Sequence, residues 1–202
     1  LVKTDKHGNL LWDRTFGGHA MDYANSIIQA SDGGYALVGR NLSKGAGDFD
    51  LWMVKTDGNG NHLWDKTFGG SLADIGTSII QTKNEDYLLA GYTNSKGAGK
   101  ADAWIIKMNN AGNMLWEKTF GGTSIDYAYS VIQSQEGFYT IAGYTQSKVI
   151  DNGDIWIFQL DNHGNLLWEK NYGGASSDFS REIIQTRDGG YAITGYTHSQ
   201  GA

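Results

Sequence analysis

The chain has 202 residues, no cysteine and a formal net charge of −6 at pH 7, which excludes a disulfide framework, a thiolate zinc site and a cysteine-linked haem. The acidic balance and the scatter of its 16 Lys and Arg residues argue against binding to nucleic acid, and the lack of a long apolar run argues against insertion into a membrane. Its 29 glycines and 12% aromatic residues are typical of short strands joined by tight turns.

The first predicted element is the end of a strand, because Leu1 matches Met53 in a later copy of the same pattern. A turn at residues 5–9 leads to a stretch from Trp12 to Gly18 that ends in an aromatic residue and two glycines. This stretch recurs from Trp64, Trp116 and Trp168, each time 52 residues further on. A strict repeat predicts one domain of stacked units, at about 1–18 plus 175–202, 19–70, 71–122 and 123–174.

Each full unit contains four short segments rich in β-branched and aromatic residues. In the second unit they are residues 78–82, 87–93, 102–108 and 114–120, which are too short for helices and are predicted as strands. In all four copies, the turn between the last two strands has Asp or Asn at its first position and Gly at its fourth. Such a turn joins the two strands of an antiparallel hairpin.

The second strand of each unit predicts how the sheets are arranged. Residues 87–93 are almost all apolar or small, as expected for a strand that is covered on both faces. Sheets stacked face to face around an axis satisfy this requirement, so we predict an all-β fold, a β-propeller with four-stranded antiparallel blades. The repeated tryptophans and the tyrosines that begin each second strand, such as Tyr87, are interpreted first as core residues.

The two ends of the chain are predicted to share a blade. The first two strands of the chain would complete a sheet begun by the strands within residues 177–197, giving a 2+2 interleaved closing blade. A homodimer with eight blades, and a fragment of a longer array, are the alternatives to a closed ring of four blades.

The ordered motifs of the unit resemble a known family. They read Gly-Gly-x-x-x-Asp-Tyr-Ala-x-Ser-Ile, Asp-Gly-Gly-Tyr-Ala, Gly-Tyr-Thr-x-Ser, Asp-x-Trp and Lys-x-Asp-x-x-Gly-Asn-x-x-Trp. Over the whole chain this set resembles the β-propeller repeats of bacterial and archaeal secreted and cell-surface proteins, often called SBBP repeats. The resemblance implies a propeller fold and an extracellular or cell-surface location, and it implies no general catalytic residues.

One aspartate per repeat precedes the first strand and suggests a metal site. In a closed ring these four carboxylates would surround the channel mouth and could hold Ca²⁺, which prefers oxygen ligands. The alternative is that each carboxylate accepts hydrogen bonds from its own Gly-Gly loop. The residues are Asp22, Asp74, Asp126 and Asp178.

Residues that differ between the copies point to specificity, since the scaffold does not dictate them. One position in the first strand reads Asn25, Thr77, Tyr129 and Arg181, and the loop before it carries His19 in the first copy. We therefore predict ligand contacts at His19, Asn25, Tyr129 and Arg181, with neutral drift on an exposed loop as the alternative.

These features favour a non-catalytic extracellular binding or scaffold module that contacts a protein or a polysaccharide at the cell surface through its loops. A glycan-binding, lectin-like propeller is the alternative within binding. A hydrolase or lyase that uses aspartate and Arg181 at the channel mouth is the alternative among enzymes, although the five histidines are not clustered in the sequence.

Overall fold

The computed structural model describes residues 1–149 and 152–199, and within these ranges it contains strands and turns and no helix. No helix in that part of the chain could therefore serve as an apolar membrane span. The strands are β1 Val2–Thr4, β2 Leu10–Asp13, β3 Asp22–Gln29, β4 Tyr35–Asn41, β5 Asp50–Thr56, β6 His62–Phe68, β7 Asp74–Gln81, β8 Tyr87–Thr93, β9 Asp102–Met108, β10 Met114–Phe120, β11 Asp126–Gln133, β12 Tyr139–Thr145, β13 Asp154–Leu160, β14 Leu166–Tyr172, β15 Asp178–Gln185 and β16 Tyr191–Thr197.

The strands form three four-stranded antiparallel sheets and two hairpins. The sheets are β3–β6, β7–β10 and β11–β14, each with its strands paired in chain order, and the hairpins are β1–β2 and β15–β16. The predicted all-β fold built from repeated four-stranded antiparallel sheets is confirmed at this level.

Three of the four predicted strands of the second unit have the bounds expected from the sequence, namely β8, β9 and β10. The first strand was placed too late, because β7 begins at Asp74 rather than at Ser78. Its opening residues include Gly76 and Thr77, which lack the apolar pattern of a strand. Pairing with β8 extends through these residues and makes them part of the sheet.

The hairpin turns have the predicted chemistry. In the turn after β5, the Asp57 carboxylate accepts hydrogen bonds from the backbone N–H groups of Asn59 and Asn61 at 2.9 and 2.8 Å. Gly60 has a φ of 77°, the left-handed conformation that favours glycine. The Asx side chain and the glycine together close the turn.

The hydrophobic core lies between successive sheets. One cluster joins β3–β6 to β7–β10 and includes Leu51, Leu89 and Trp104, and a second joins β7–β10 to β11–β14 around Trp156 and Phe158. The tryptophans of β5, β9 and β13 are at most 5% exposed, so their interpretation as core residues is confirmed. Tryptophans of the outermost strands, such as Trp64, are half-buried beside the tyrosines.

The predicted 2+2 closing blade is not formed among the described residues. The hairpins β1–β2 and β15–β16 are separate sheets, so β16 has only β15 as a neighbour, whereas its counterparts β4, β8 and β12 pair on both sides. The first strands β3, β7, β11 and β15 pack side by side in that order, and no comparable contact joins β15 to β3. Matching strands are not sufficient for closure, because the rotation between successive sheets must also bring the two ends together.

Candidate ligand-binding cleft

Each first strand carries a β-bulge at a position where all four repeats have different residues. In β3, Ala24 pairs with Gly39 and Ser26 pairs with Val38, so that Asn25 between them has no partner on β4. The same irregularity occurs in the other three first strands. A bulge leaves one residue outside the ladder and re-aims its side chain. The bulged residues are Asn25, Thr77, Tyr129 and Arg181.

These four side chains line one cleft of about 320 Å³. Three of them, Asn25, Tyr129 and Arg181, are predicted ligand contacts that the structure brings together. Because β3, β7, β11 and β15 lie next to one another, equivalent bulges on successive strands converge on the same concave surface. The full lining is Asn25, Arg40, Ile75, Thr77, Tyr92, Tyr129 and Arg181.

The two smaller bulged residues connect neighbouring sheets. Asn25 donates a hydrogen bond from Nδ2 to the carbonyl oxygen of Gly76 at 2.7 Å, which ties β3 to β7. The Thr77 hydroxyl lies 3.0 and 2.8 Å from the carbonyl oxygens of Ala90 and Ala128, on its own sheet and on the next. The polar atoms of these two side chains therefore help to hold the wall of the cleft in place.

The two larger bulged residues contact each other within the cleft. The Arg181 guanidinium lies over the rings of Tyr129 and Tyr196, at 5.4 and 5.3 Å from their centroids. Within the described residues no salt bridge involves Arg181. Arg181 is exposed, so its charge is accessible from solvent.

Sequence reasoning missed Arg40 and Tyr92, which line the cleft from the second strands. Arg40 takes the place of a tyrosine that the other repeats carry as Tyr92, Tyr144 and Tyr196. The signal that identified the bulged residues, a difference between copies at one position, was therefore also present at this position. The Arg40 guanidinium contacts the rings of Tyr23 and Phe49, at 4.5 and 4.8 Å from their centroids.

An aromatic row runs beside the cleft across three repeats. Tyr92 and Tyr127 have centroids 4.2 Å apart, and Tyr144 and Phe179 are stacked at 4.2 Å with an interplanar angle of 8°. Tyr196 continues the row, at 4.7 Å from Phe179. Such contacts between rings hold each ring in one orientation, so the cleft has a stiff aromatic side.

The tyrosines of the cleft remain protonated at neutral pH. Burial raises the pKa of Tyr129, and Arg181 opposes this change only in part. Burial also raises the pKa of Tyr92, with Arg40 opposing it. Both phenols can therefore donate a hydrogen bond to a ligand.

The four aspartates predicted as a calcium ring turn back onto their own loops. Asp74 accepts hydrogen bonds from Gly70 N at 2.8 Å and from Ser95 Oγ at 2.7 Å, and the other three repeat this arrangement. A Cβ at Gly69 would lie 1.8 and 2.6 Å from oxygens of Asp50 and Asp74, so only glycine fits beside these carboxylates. The arrangement matches the alternative that we gave for these residues. The carboxylates are those of Asp22, Asp74, Asp126 and Asp178.

Two of these aspartates have a lowered pKa. Burial opposes ionisation of Asp22, but hydrogen bonds from Gly18 and Ser43 outweigh it and lower the pKa. The pKa of Asp178 is lowered in the same way. Among the described residues no group of three or more His, Cys, Asp or Glu side chains could hold a metal ion, so the prediction of Ca²⁺ gains no support from this geometry.

His19 does not contribute to the cleft. It lies in the exposed loop between β2 and β3 and is absent from the lining residues. Of the four predicted ligand contacts, it alone is separate from the others. The sequence placed it near them through its position just before a first strand, but the structure keeps it in the exposed loop, outside the lining of the cleft.

Comparisons with known proteins identify a similar fold. No protein-family model matches the chain, and no curated protein matches it. The chain is similar to the crystal structure of a protein of unknown function from Bacteroides caccae, with a TM-score of 0.61 and 14% identity over 96% of this chain. It spans 63% of that protein's length. It also matches 37% of a eukaryotic initiation factor, with a TM-score of 0.49 and 12% identity over 85% of this chain. At these identities the similarity to the Bacteroides caccae protein concerns the fold alone.

Proposed function

We propose that the chain is a non-catalytic binding module of an extracellular or cell-surface protein, and that its sheets are blades of a β-propeller. Its ligand would bind in the cleft between β3, β7, β11 and β15. One observation carries this proposal: three of the side chains that differ between the copies, and were predicted from the sequence as ligand contacts, line a single cleft. The repeat brings these equivalent positions together whatever residues they carry, so the support lies in their chemistry: an amide, a phenol and a guanidinium line one opening.

The lining of the cleft suits recognition of a ligand. Tyrosines supply flat apolar faces and hydroxyl groups, and Asn25 and Thr77 form a fixed polar floor. A volume of about 320 Å³ is at the lower end of the range for small-molecule sites. This volume favours a small ligand group, such as one end of a glycan chain, over an extended protein surface as the ligand.

The enzyme alternative is less well supported. A hydrolase or lyase of the expected type needs a carboxylate at the reacting centre, yet the residues that line the cleft include no Asp or Glu. The aspartates expected at the channel mouth accept hydrogen bonds from their own loops instead. We therefore propose binding without catalysis.

The proposal is tested by titrating isotope-labelled protein with neutral oligosaccharides and with peptides while recording amide chemical shifts. We expect a bound ligand to shift the amides of Thr77 and Tyr129. Replacing Tyr129 with Thr, the residue of the preceding repeat, removes an aromatic face and should weaken binding by about tenfold.

Tyr172→Thr, on the outermost strand β14, serves as the control because it makes the same change at an exposed tyrosine outside the cleft. Equal loss of affinity in both variants would argue for a general effect on stability. Ligand-induced shifts confined to residues outside the cleft would contradict the proposal.

A further inference from the structure

Arg40 is a cation without an anionic partner. Within the described residues no salt bridge involves it, and its buried Nε has no hydrogen-bond partner. A buried donor that is left unpaired costs free energy. At the equivalent position the three other repeats have tyrosine, so this charge is a feature of the first repeat alone.

Two rings contact the Arg40 guanidinium and restrict its orientation. Its Cζ lies 4.5 Å from the centroid of Tyr23 and 4.8 Å from that of Phe49. A guanidinium held in this way loses little conformational freedom when it binds, and its planar N–H groups match the two oxygens of a carboxylate. Arg40 is thus prepared to bind a planar anion.

Arg181 adds a second positive charge to the same cleft. The chain contains four arginines in all, and two of them line this cleft although the net charge of the protein is −6. No carboxylate belongs to the lining, so nothing in the cleft neutralises them. Positive charge within a concave surface attracts anions from solution.

On the basis of the proposed function, we propose that the cleft selects a ligand in which a carboxylate is attached to a ring, as in a hexuronic acid. Arg40 and Arg181 would bind the carboxylate. The ring would lie against the tyrosines, whose hydroxyl groups donate to its oxygens. The volume of this cleft, about 320 Å³, fits one such residue at the end of a polysaccharide.

The experiment compares glucuronic acid with glucose by calorimetric titration of the wild-type protein. We expect glucuronic acid to bind at least tenfold more tightly, and we expect this preference to decrease as salt screens the arginines. Inorganic phosphate and sulfate are titrated separately. They should bind more weakly than glucuronic acid, because they carry charge but no ring.

Two substitutions copied from other repeats test the arginines. Arg40→Tyr and Arg181→Asn should each lower the ratio of the affinity for glucuronic acid to the affinity for glucose about tenfold or more. Arg40→Lys keeps the charge without the planar fork and should lose most of the preference. Arg187→Ser, in the turn between β15 and β16, removes one charge at a distance and should change nothing, since Ser31 occupies that position in the first repeat.

Thermal unfolding of every variant establishes that it is folded before it is titrated. Equal affinity for glucose and glucuronic acid would overturn this inference and leave the binding module in place. If neither sugar binds while another ligand shifts the amides of the cleft, the inference is likewise overturned and the binding module is retained. If phosphate binds as tightly as glucuronic acid, the site has no preference for a ring and the inference is wrong.

Discussion

At the scale of single residues, aspartates of the repeat have opposite electrostatic roles. Asp22 is stabilised as an anion by hydrogen bonds from Gly18 and Ser43, and these hold its pKa low despite burial. Asp102 is 2% exposed, and burial together with the nearby Asp126 charge raises its pKa above the usual value. Both are aspartates at the first residue of a strand, and the sequence does not reveal their difference in pKa, because that difference depends on how many donors surround each carboxylate.

The first prediction concerns Asp22→Asn. The free energy of unfolding at pH 7 should fall by about 1–3 kcal/mol, since hydrogen bonds to a charged acceptor are lost. A lowered folded-state pKa means that this contribution is complete above the unfolded-state pKa of Asp and disappears as pH falls through the folded-state value. Chemical denaturation between pH 7 and pH 3 should therefore show the wild-type protein and the variant converging in acid.

Asp102→Asn provides the contrast. Because its folded-state pKa is raised, ionisation of Asp102 lowers stability at neutral pH, and this cost disappears as pH falls through that pKa. The variant should be as stable as the wild-type protein at pH 7, or more stable, since an amide oxygen can still accept from Gly99 N. A large loss of stability in both variants would show that hydrogen-bond geometry, rather than charge, determines how much these aspartates contribute to the free energy of unfolding.

At the scale of the elements, each complete sheet is fastened by the same trio of side chains. In β7–β10 the Trp104 Nε1 donates to Glu117 at 3.1 Å, and Lys96 forms a salt bridge to the same carboxylate at 2.7 Å. The sheets β3–β6 and β11–β14 have equivalent trios. The trio links the third strand, the fourth strand and the loop after the second, so it holds the outer half of the sheet together.

The second prediction follows from this trio. Trp104→Phe should lower the free energy of unfolding by about 2–4 kcal/mol, because Trp104 is fully buried and the change leaves a cavity and removes the hydrogen bond from Nε1 to Glu117. Trp116→Phe, on the half-buried outermost strand, should cost less. Urea denaturation of the two variants measures the difference, and equal costs would contradict the assignment of the core.

The β-bulges of the first strands supply side chains to the cleft. A first strand without a bulge would keep every residue in the ladder. The extra residue in each strand instead lies out of register, and four neighbouring strands present four such residues to one cleft. Variation at these positions therefore changes the binding surface without changing the pairing of the sheets.

At the scale of the whole molecule, the row of sheets has two open ends. At one end β3 is mostly exposed, whereas β7 in the interior of the row is mostly buried. At the other end β16 is paired on one side only, and Ile184 and Tyr196 are 55% and 41% exposed. Unpaired strands with exposed apolar residues tend to pair with another chain.

The third prediction is that this chain associates with itself in solution. Its mass, measured by analytical ultracentrifugation, should rise with protein concentration. Thr194→Lys places a charge on β16, whose outer edge has no partner strand among the described residues, and should weaken the association. Ser31→Lys, in an exposed turn, is the control for the added charge. A mass that stays constant over the whole concentration range would show that the open ends do not attract each other.

Much of the fold and part of the cleft follow from local sequence. The bounds of β8, β9 and β10 and the chemistry of the hairpin turns could be predicted because β-branched and aromatic side chains, Asx residues and glycines act within a few residues of the chain. Asn25, Tyr129 and Arg181 could be identified as one group because the repeat places them at equivalent positions. Arg40 could have been found by the same comparison.

The sequence alone determined the repeat, its strands and its turns, since these depend on contacts between residues that are close in the chain. Only the tertiary structure decided that β1 and β16 do not pair, that His19 lies away from the cleft and that each aspartate faces its own loop. The angle between successive sheets results from many side-chain contacts spread across each interface. No single motif encodes that angle, and the angle determines which residues that are distant in the chain come into contact.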